Sequence, residues 1–220
     1  MTLLSEHTDY AFAVGRIRAL ECKLLDRPTL VRLLDEPLPG VCRILEEHGY
    51  PPVGEVCGGM PEDRDESFIS EQFADFKDRC LADTFAELAH LSAHPEITSL
   101  LPLRYDCLNL GWILKAKAAG EETPRLFRCG TVAPDLLQRL VNEEGTELSG
   151  LLKEAYDHAF PLIEAGADVR LIGCRTIAVY WRHFLRVARA SNLEFLRLLA
   201  TYHIDGVNLS TLVRLKHDAE

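Results

Sequence analysis

Two short polar patterns stand out in the 220-residue sequence: Asp106-x-x-Asn109 and Asp205-x-x-Asn208. A carboxylate and a carboxamide one helical turn apart could serve as acid, base and oxyanion donor. The same spacing also suits an Asp at a helix N-cap, accepting orphan N–H groups, with an Asn one turn inside that bonds across to a neighbouring helix. The structural role is the expectation. His90 and His94 lie four apart and could share a metal, but no H-E-x-x-H arrangement or third ligand accompanies them. Cys57, before Gly58-Gly59, could present a thiol in a loop, with eight histidines as potential bases, yet no catalytic signature surrounds it. There is no G-x-G-x-x-G, no P-loop and no G-x-S-x-G. No catalytic, cofactor or metal site is assigned, and no enzyme activity is expected. Trp112, Tyr180 and Trp181 are read as core or interface aromatics.

The elements that must position these residues are helical. Apolar residues recur at three- and four-residue steps from Tyr10 to Leu25, and helices are expected from Pro28 and after Gly40. The stretch Gly49–Pro61 is the most loop-like. A long helix is expected from Glu62 to about Leu91. Further helices are expected at Glu96–Ala119, Pro134–Asn142, Thr146–His158, Arg175–Ala190, Asn192–His203 and Asp205 to the C-terminus, while the runs at Val132 and Val169–Ile172 are ambiguous. The fold class is therefore all-α, with an elongated build.

Residues 105–117 align without gaps on 204–216, sharing D-x-x-N-L-x-x-x-x-[K/R]-x-K at an offset of 99 residues. Asp106, Asn109 and Lys117 thus pair with Asp205, Asn208 and Lys216. The late basic residues oppose the negative end of each helix. Pro28–Leu34 also matches Pro134–Leu140 in type, with the N-terminal helix as a degenerate first copy. The pattern predicts duplicated helical units, at residues 1–61, 62–167 and, incomplete, 168–220.

Charge narrows the partners. Twenty-four Lys plus Arg against 34 Asp plus Glu give −10, which disfavours nucleic acid and anionic lipid. No stretch without charged residues exceeds eight, so no membrane span is expected. Met1–Gly15 has neither a basic n-region nor a long apolar core, and the cytoplasm is the expected location. Seven scattered cysteines with no C-x-x-C are expected to be reduced. Residues 168–220 carry +3 and residues 1–167 carry −13. Arg175, Arg182, Arg186 and Arg189 fall near one helix face, where an acidic partner could dock, as an alternative to an ordinary solvated surface.

The stretch R-x-R-A-L-E-x-K-L-L ending at Leu25, the Asp106 and Asp205 motifs, and Gly130-Thr131-Val132 leading to Pro134 together resemble the C subunit of A-type and V-type ATPases, equivalent to the eukaryotic d subunit. The likeness spans nearly the whole chain. It implies a funnel-like helical protein of three pseudo-repeated units that carries no chemistry. Such a protein sits peripherally on the membrane rotor ring and couples it to the central stalk in proton or cation transport, with the other ATPase subunits as partners. The alternative is a stand-alone helical-repeat adaptor that binds another protein or self-associates as a homodimer.

Overall fold

The computed structural model describes residues 10–53, 66–143 and 145–217, and every regular element among them is a helix. In chain order these are α1 (Ala11–Glu21), α2 (Arg27–Asp35), α3 (Leu38–Glu47), α4 (Glu66–Leu91), α5 (Pro95–Thr98), α6 (Leu100–Ala119), α7 (Pro134–Asn142), α8 (Gly150–Glu164), α9 (Val169–Ala190) and α10 (Glu194–His217). The all-α class expected from periodicity is the one observed.

Packing separates the chain into two compact units, one ending at Thr98 and the other beginning at Ser99. In the N-terminal unit, Asp26 caps α2 by accepting the Thr29 amide at 2.9 Å, with Pro28 in the first turn. A small core of Cys42, Leu45 and Val53 gathers Tyr50, Phe73 and Phe76. Arg79 of α4 donates to the Pro52 carbonyl at 2.9 Å, and an Arg16–Glu87 ion pair ties α1 to α4. The expected buried stripe of α1 is not found. Ala13 is buried, but Phe12, Ile17 and Leu24 are exposed.

In the C-terminal unit, α9 lies against α6, α8 and α10, while α6 also meets α7 and α8. The core centres on Cys107, Leu110 and Leu114 of α6, with Leu137, Ala155, Ile172, Val179 and Tyr180. Gly111 lets α6 approach α9. A Cβ there would stand 2.6 Å from Thr176 Oγ1 and 3.5 Å from the Gly173 Cα. The Tyr180 hydroxyl donates to the Leu100 carbonyl at 3.2 Å, and burial pushes its phenol up to about 12. We expect Tyr180→Phe to lower stability by about 1 kcal/mol, measured by urea unfolding.

Several boundaries differ from the sequence expectation for identifiable reasons. The helix expected over Glu96–Ala119 is divided at Ser99 because Pro102 lacks the N–H that would bond the Thr98 carbonyl. The ambiguous Val169–Ile172 opens α9, where Asp168 accepts the Arg170 amide at 2.8 Å. Asn192 takes a left-handed φ of 55° and ends α9. The two helices expected from Asn192 to the C-terminus are one continuous helix, α10. Cys22, Cys80, Cys107 and Cys174 are free, but Cys42 is disulfide-bonded, so the expectation of reduced thiols does not hold for Cys42.

Candidate functional site

The first polar pair sits deep in the C-terminal unit. Leu100, Cys107, Leu110, Ile113 and Leu114 bury one face of α6, and this places Asp106 and Asn109 beside the segment that follows the helix. Gly120, at φ 69°, closes α6 in the left-handed region and turns the chain back. Residues 121–133 then run without helix to Pro134.

Both side chains are fully buried, and their hydrogen bonds go to this returning segment. Asp106 Oδ2 accepts the Thr131 amide at 3.0 Å and the Thr131 hydroxyl; Oδ1 accepts the Val132 amide at 3.2 Å. Asn109 grips one residue from both sides, donating to the Phe127 carbonyl at 2.8 Å and accepting the Phe127 amide at 2.9 Å. The Phe127 ring is held by Tyr105, edge-on, and by Trp112, stacked, each with centroids 4.9 Å away. The pair is thus a clamp that supplies the segment with partners for its part-buried backbone groups.

The clamp's position corrects one expectation. Asp106 and Asp205 are not N-caps; each lies in the middle of a helix, α6 or α10. The Asp106 carboxylate reaches outward to another segment instead of to its own helix's first turn, and Asn109 bonds a loop instead of a helix. Burial lifts the Asp106 carboxyl above the usual carboxylate range, with the Thr131 and Val132 donors opposing it.

Gly130 is part of the clamp. A Cβ at this position would collide with Asp106 Oδ1. Gly130→Ala is expected to cost about 2 kcal/mol through this overpacking, read as a lower urea midpoint with an unchanged slope.

The remaining sequence candidates are dispersed. Lys117 is exposed and sits 5.5 Å over the Phe160 ring. Asp205, Asn208 and Lys216 are exposed on α10, and the Arg214 side chain lies outside the described residues. Arg175, Arg182, Arg186 and Arg189 are exposed along one stripe of α9, with Arg186 3.8 Å from Glu154. His90 is exposed, whereas His94 meets Glu96 at 3.1 Å and stacks on Tyr10. Among the described residues no three potential metal ligands gather. Cys57 and its glycines lie outside the described residues. Among those described, no helix is long and apolar enough to cross a membrane.

Helix ends share the 99-residue offset of the D-x-x-N pattern. Leu91 and Ala190, which end α4 and α9, are 99 residues apart, as are Pro95 and Glu194, which begin α5 and α10. Between them, Ser92 Oγ accepts the His94 amide at 3.0 Å, and Ser191 Oγ accepts the Leu193 amide at 3.3 Å. Both stretches run a long helix into a serine-held turn and on into further helix, α5 and α6 after the first turn and α10 after the second. Thr201 stands where the earlier copy has Pro102, which is why α10 is unbroken. The Ser-x-x echo was present in the sequence but too short to register alone.

Comparison with known proteins identifies a family. The model of the family described as ATP synthase (C/AC39) subunit matches residues 13–220. Two curated relatives, each named as the C subunit of an A-type ATP synthase, are 27% identical over 224 residues (Methanosarcina acetivorans) and 24% identical over 222 residues (Methanosarcina mazei). Each match covers 95% of this chain and 59% of the relative, so the chain spans well under two thirds of the length of these relatives. No solved structure gives a significant match.

Proposed function

Because the chain belongs to the ATP synthase (C/AC39) subunit family, we propose that it is a non-catalytic component of a rotary ATPase, coupling the central stalk to the membrane rotor ring. The observation that carries this reading is the arginine stripe of α9. Arg175, Arg182, Arg186 and Arg189 are exposed on one side of a helix whose other side, with Tyr180, Phe184 and Ala188, is core. Positive charge is thereby fixed on a close-packed body that transmits strain instead of absorbing it. In a chain of net charge −10, such a stripe favours an acidic partner surface on another subunit.

Two further readings belong to this proposal. The organisation into copies at 1–61, 62–167 and 168–220 is supported by the common 99-residue register of α4–α6 and α9–α10; it concerns descent, whereas the compact units concern packing. Association with the membrane would be peripheral, through the rotor complex, on its cytoplasmic side.

The test is co-purification of the tagged chain with the stalk and rotor-ring subunits of its own cell. Joint reversal of the four arginines to Glu is expected to reduce recovery of those subunits at least tenfold while leaving the helical circular dichroism unchanged. If the stalk and ring assemble without the chain and never retain it, the coupling role is abandoned.

A further inference from the structure

The arginine stripe of α9 has a titratable neighbour. His183 follows Arg182 directly and precedes Arg186 by three residues. Three residues turn an α-helix through about 300°, so His183 projects about 60° to one side of Arg186. That places it at the seam between the exposed stripe and the core face carrying Tyr180, Phe184 and Ala188. The imidazole is accordingly half-buried, whereas Arg182 and Arg186 are exposed.

Three helices, α6, α8 and α10, pack against α9. From α8, Glu154 approaches Arg186 to 3.8 Å and favours the charged form of the imidazole. On α9 itself, Arg186 opposes that form. Among the described residues, α6 and α10 bring no charge to bear on His183. Burial is the largest influence, and together with Arg186 it holds the imidazole below the ordinary histidine value. At neutrality His183 is therefore uncharged, and the stripe carries the four charges of its arginines. As the medium turns acid, it gains a fifth.

Resting on the reading of this stripe as the seat of an acidic partner, we propose that His183 makes that seat pH-sensitive, so that acidification tightens the hold of α9 on its partner. The physical reason is linkage. A carboxylate seated beside Arg186 attracts an imidazolium but not a neutral imidazole, so the docked chain binds the proton more tightly than the free chain. A proton favoured in the complex stabilises the complex as pH falls through the window between the free and docked values. Histidine is the side chain whose ordinary charge change falls between about pH 5 and 8. The arginines stay charged throughout and set the affinity at neutrality. His183 supplies the change, and its half-buried seat between α8 and α9 fixes the new charge beside the stripe.

The probe is a short rhodamine-labelled poly-glutamate peptide, titrated into the intact chain and followed by anisotropy at about pH 8 and about pH 6. Binding is expected to be about threefold tighter at the lower pH. His183→Gln should keep the affinity of the wild type at the higher pH and lose most of the gain. His183→Lys should bind tightly at both, each variant with unchanged circular dichroism. A second measurement needs no folded variant: followed by NMR in the wild-type chain, the His183 imidazole should titrate at higher pH with the peptide bound than without it. The two readings fail differently. No binding at either pH overturns the stripe as an acidic-partner seat and this inference with it. Binding of equal affinity at both pH values, a gain that His183→Gln retains, or an imidazole titration that ignores the peptide overturns the role of His183 and leaves the stripe standing.

Discussion

Asp106→Ala is expected to destabilise the C-terminal unit by about 4 kcal/mol, because it removes a fully buried carboxylate that accepts three part-buried hydrogen bonds. The Thr131 amide, the Thr131 hydroxyl and the Val132 amide all point at this carboxylate. By the usual size scaling, the melting temperature should fall by roughly 12 °C. Release of the 121–133 segment should also free Phe127 from Trp112, so iodide quenching of Trp112, measured with Trp181→Phe as background, should rise before global unfolding. If quenching and stability are both unchanged, the clamp is not what holds the segment.

The same carboxyl has a pH signature. Its folded value is raised by burial, so between the usual carboxylate range and the raised value the folded protein binds more protons than the unfolded chain. Stability from this group is therefore present in acid and lost as pH rises through that window, the reverse of a salt-bridged aspartate. Asp106→Asn removes the titration, and the stability gap between wild type and Asp106→Asn should be wider at the acid end and narrow toward neutrality. A gap that widens with pH would show that the Thr131 and Val132 donors outweigh desolvation.

The second large effect is Leu110→Ala, expected to cost about 3 kcal/mol as lost burial plus cavity. Leu110 is fully enclosed in the core. Its counterpart offers an internal control, since Leu209→Ala removes an exposed side chain and should change stability of the isolated chain by less than about 0.5 kcal/mol. Equal effects would contradict the asymmetry between α6 and α10.

The contrast between these two leucines shows what a local pattern can and cannot carry. Leu110 and Leu209 occupy the same place in the same motif, and the sequence treats them alike. Burial depends on what else arrives at the surface: the returning segment, α7 and α8 converge on α6, while α10 meets α9 on its other side. Arg182 and Phe184 were separable by helical phase alone, because that phase fixes which side of α9 can be core once one side is apolar.

The helical class, the positions of most helices, the 99-residue echo of Asp106-x-x-Asn109 in Asp205-x-x-Asn208 and the resemblance to the ATPase component were all legible in the order of residues. They rest on periodicity or short-range identity, which a chain carries locally. Folding in three dimensions was needed to place Asp106 and Asn109 mid-helix as a clamp on Phe127, Thr131 and Val132, to exclude a side chain at Gly130, and to turn the matching face of α10 to solvent. Those outcomes depend on contacts between residues about 18 to 26 positions apart or more, and on burial, which no local pattern encodes.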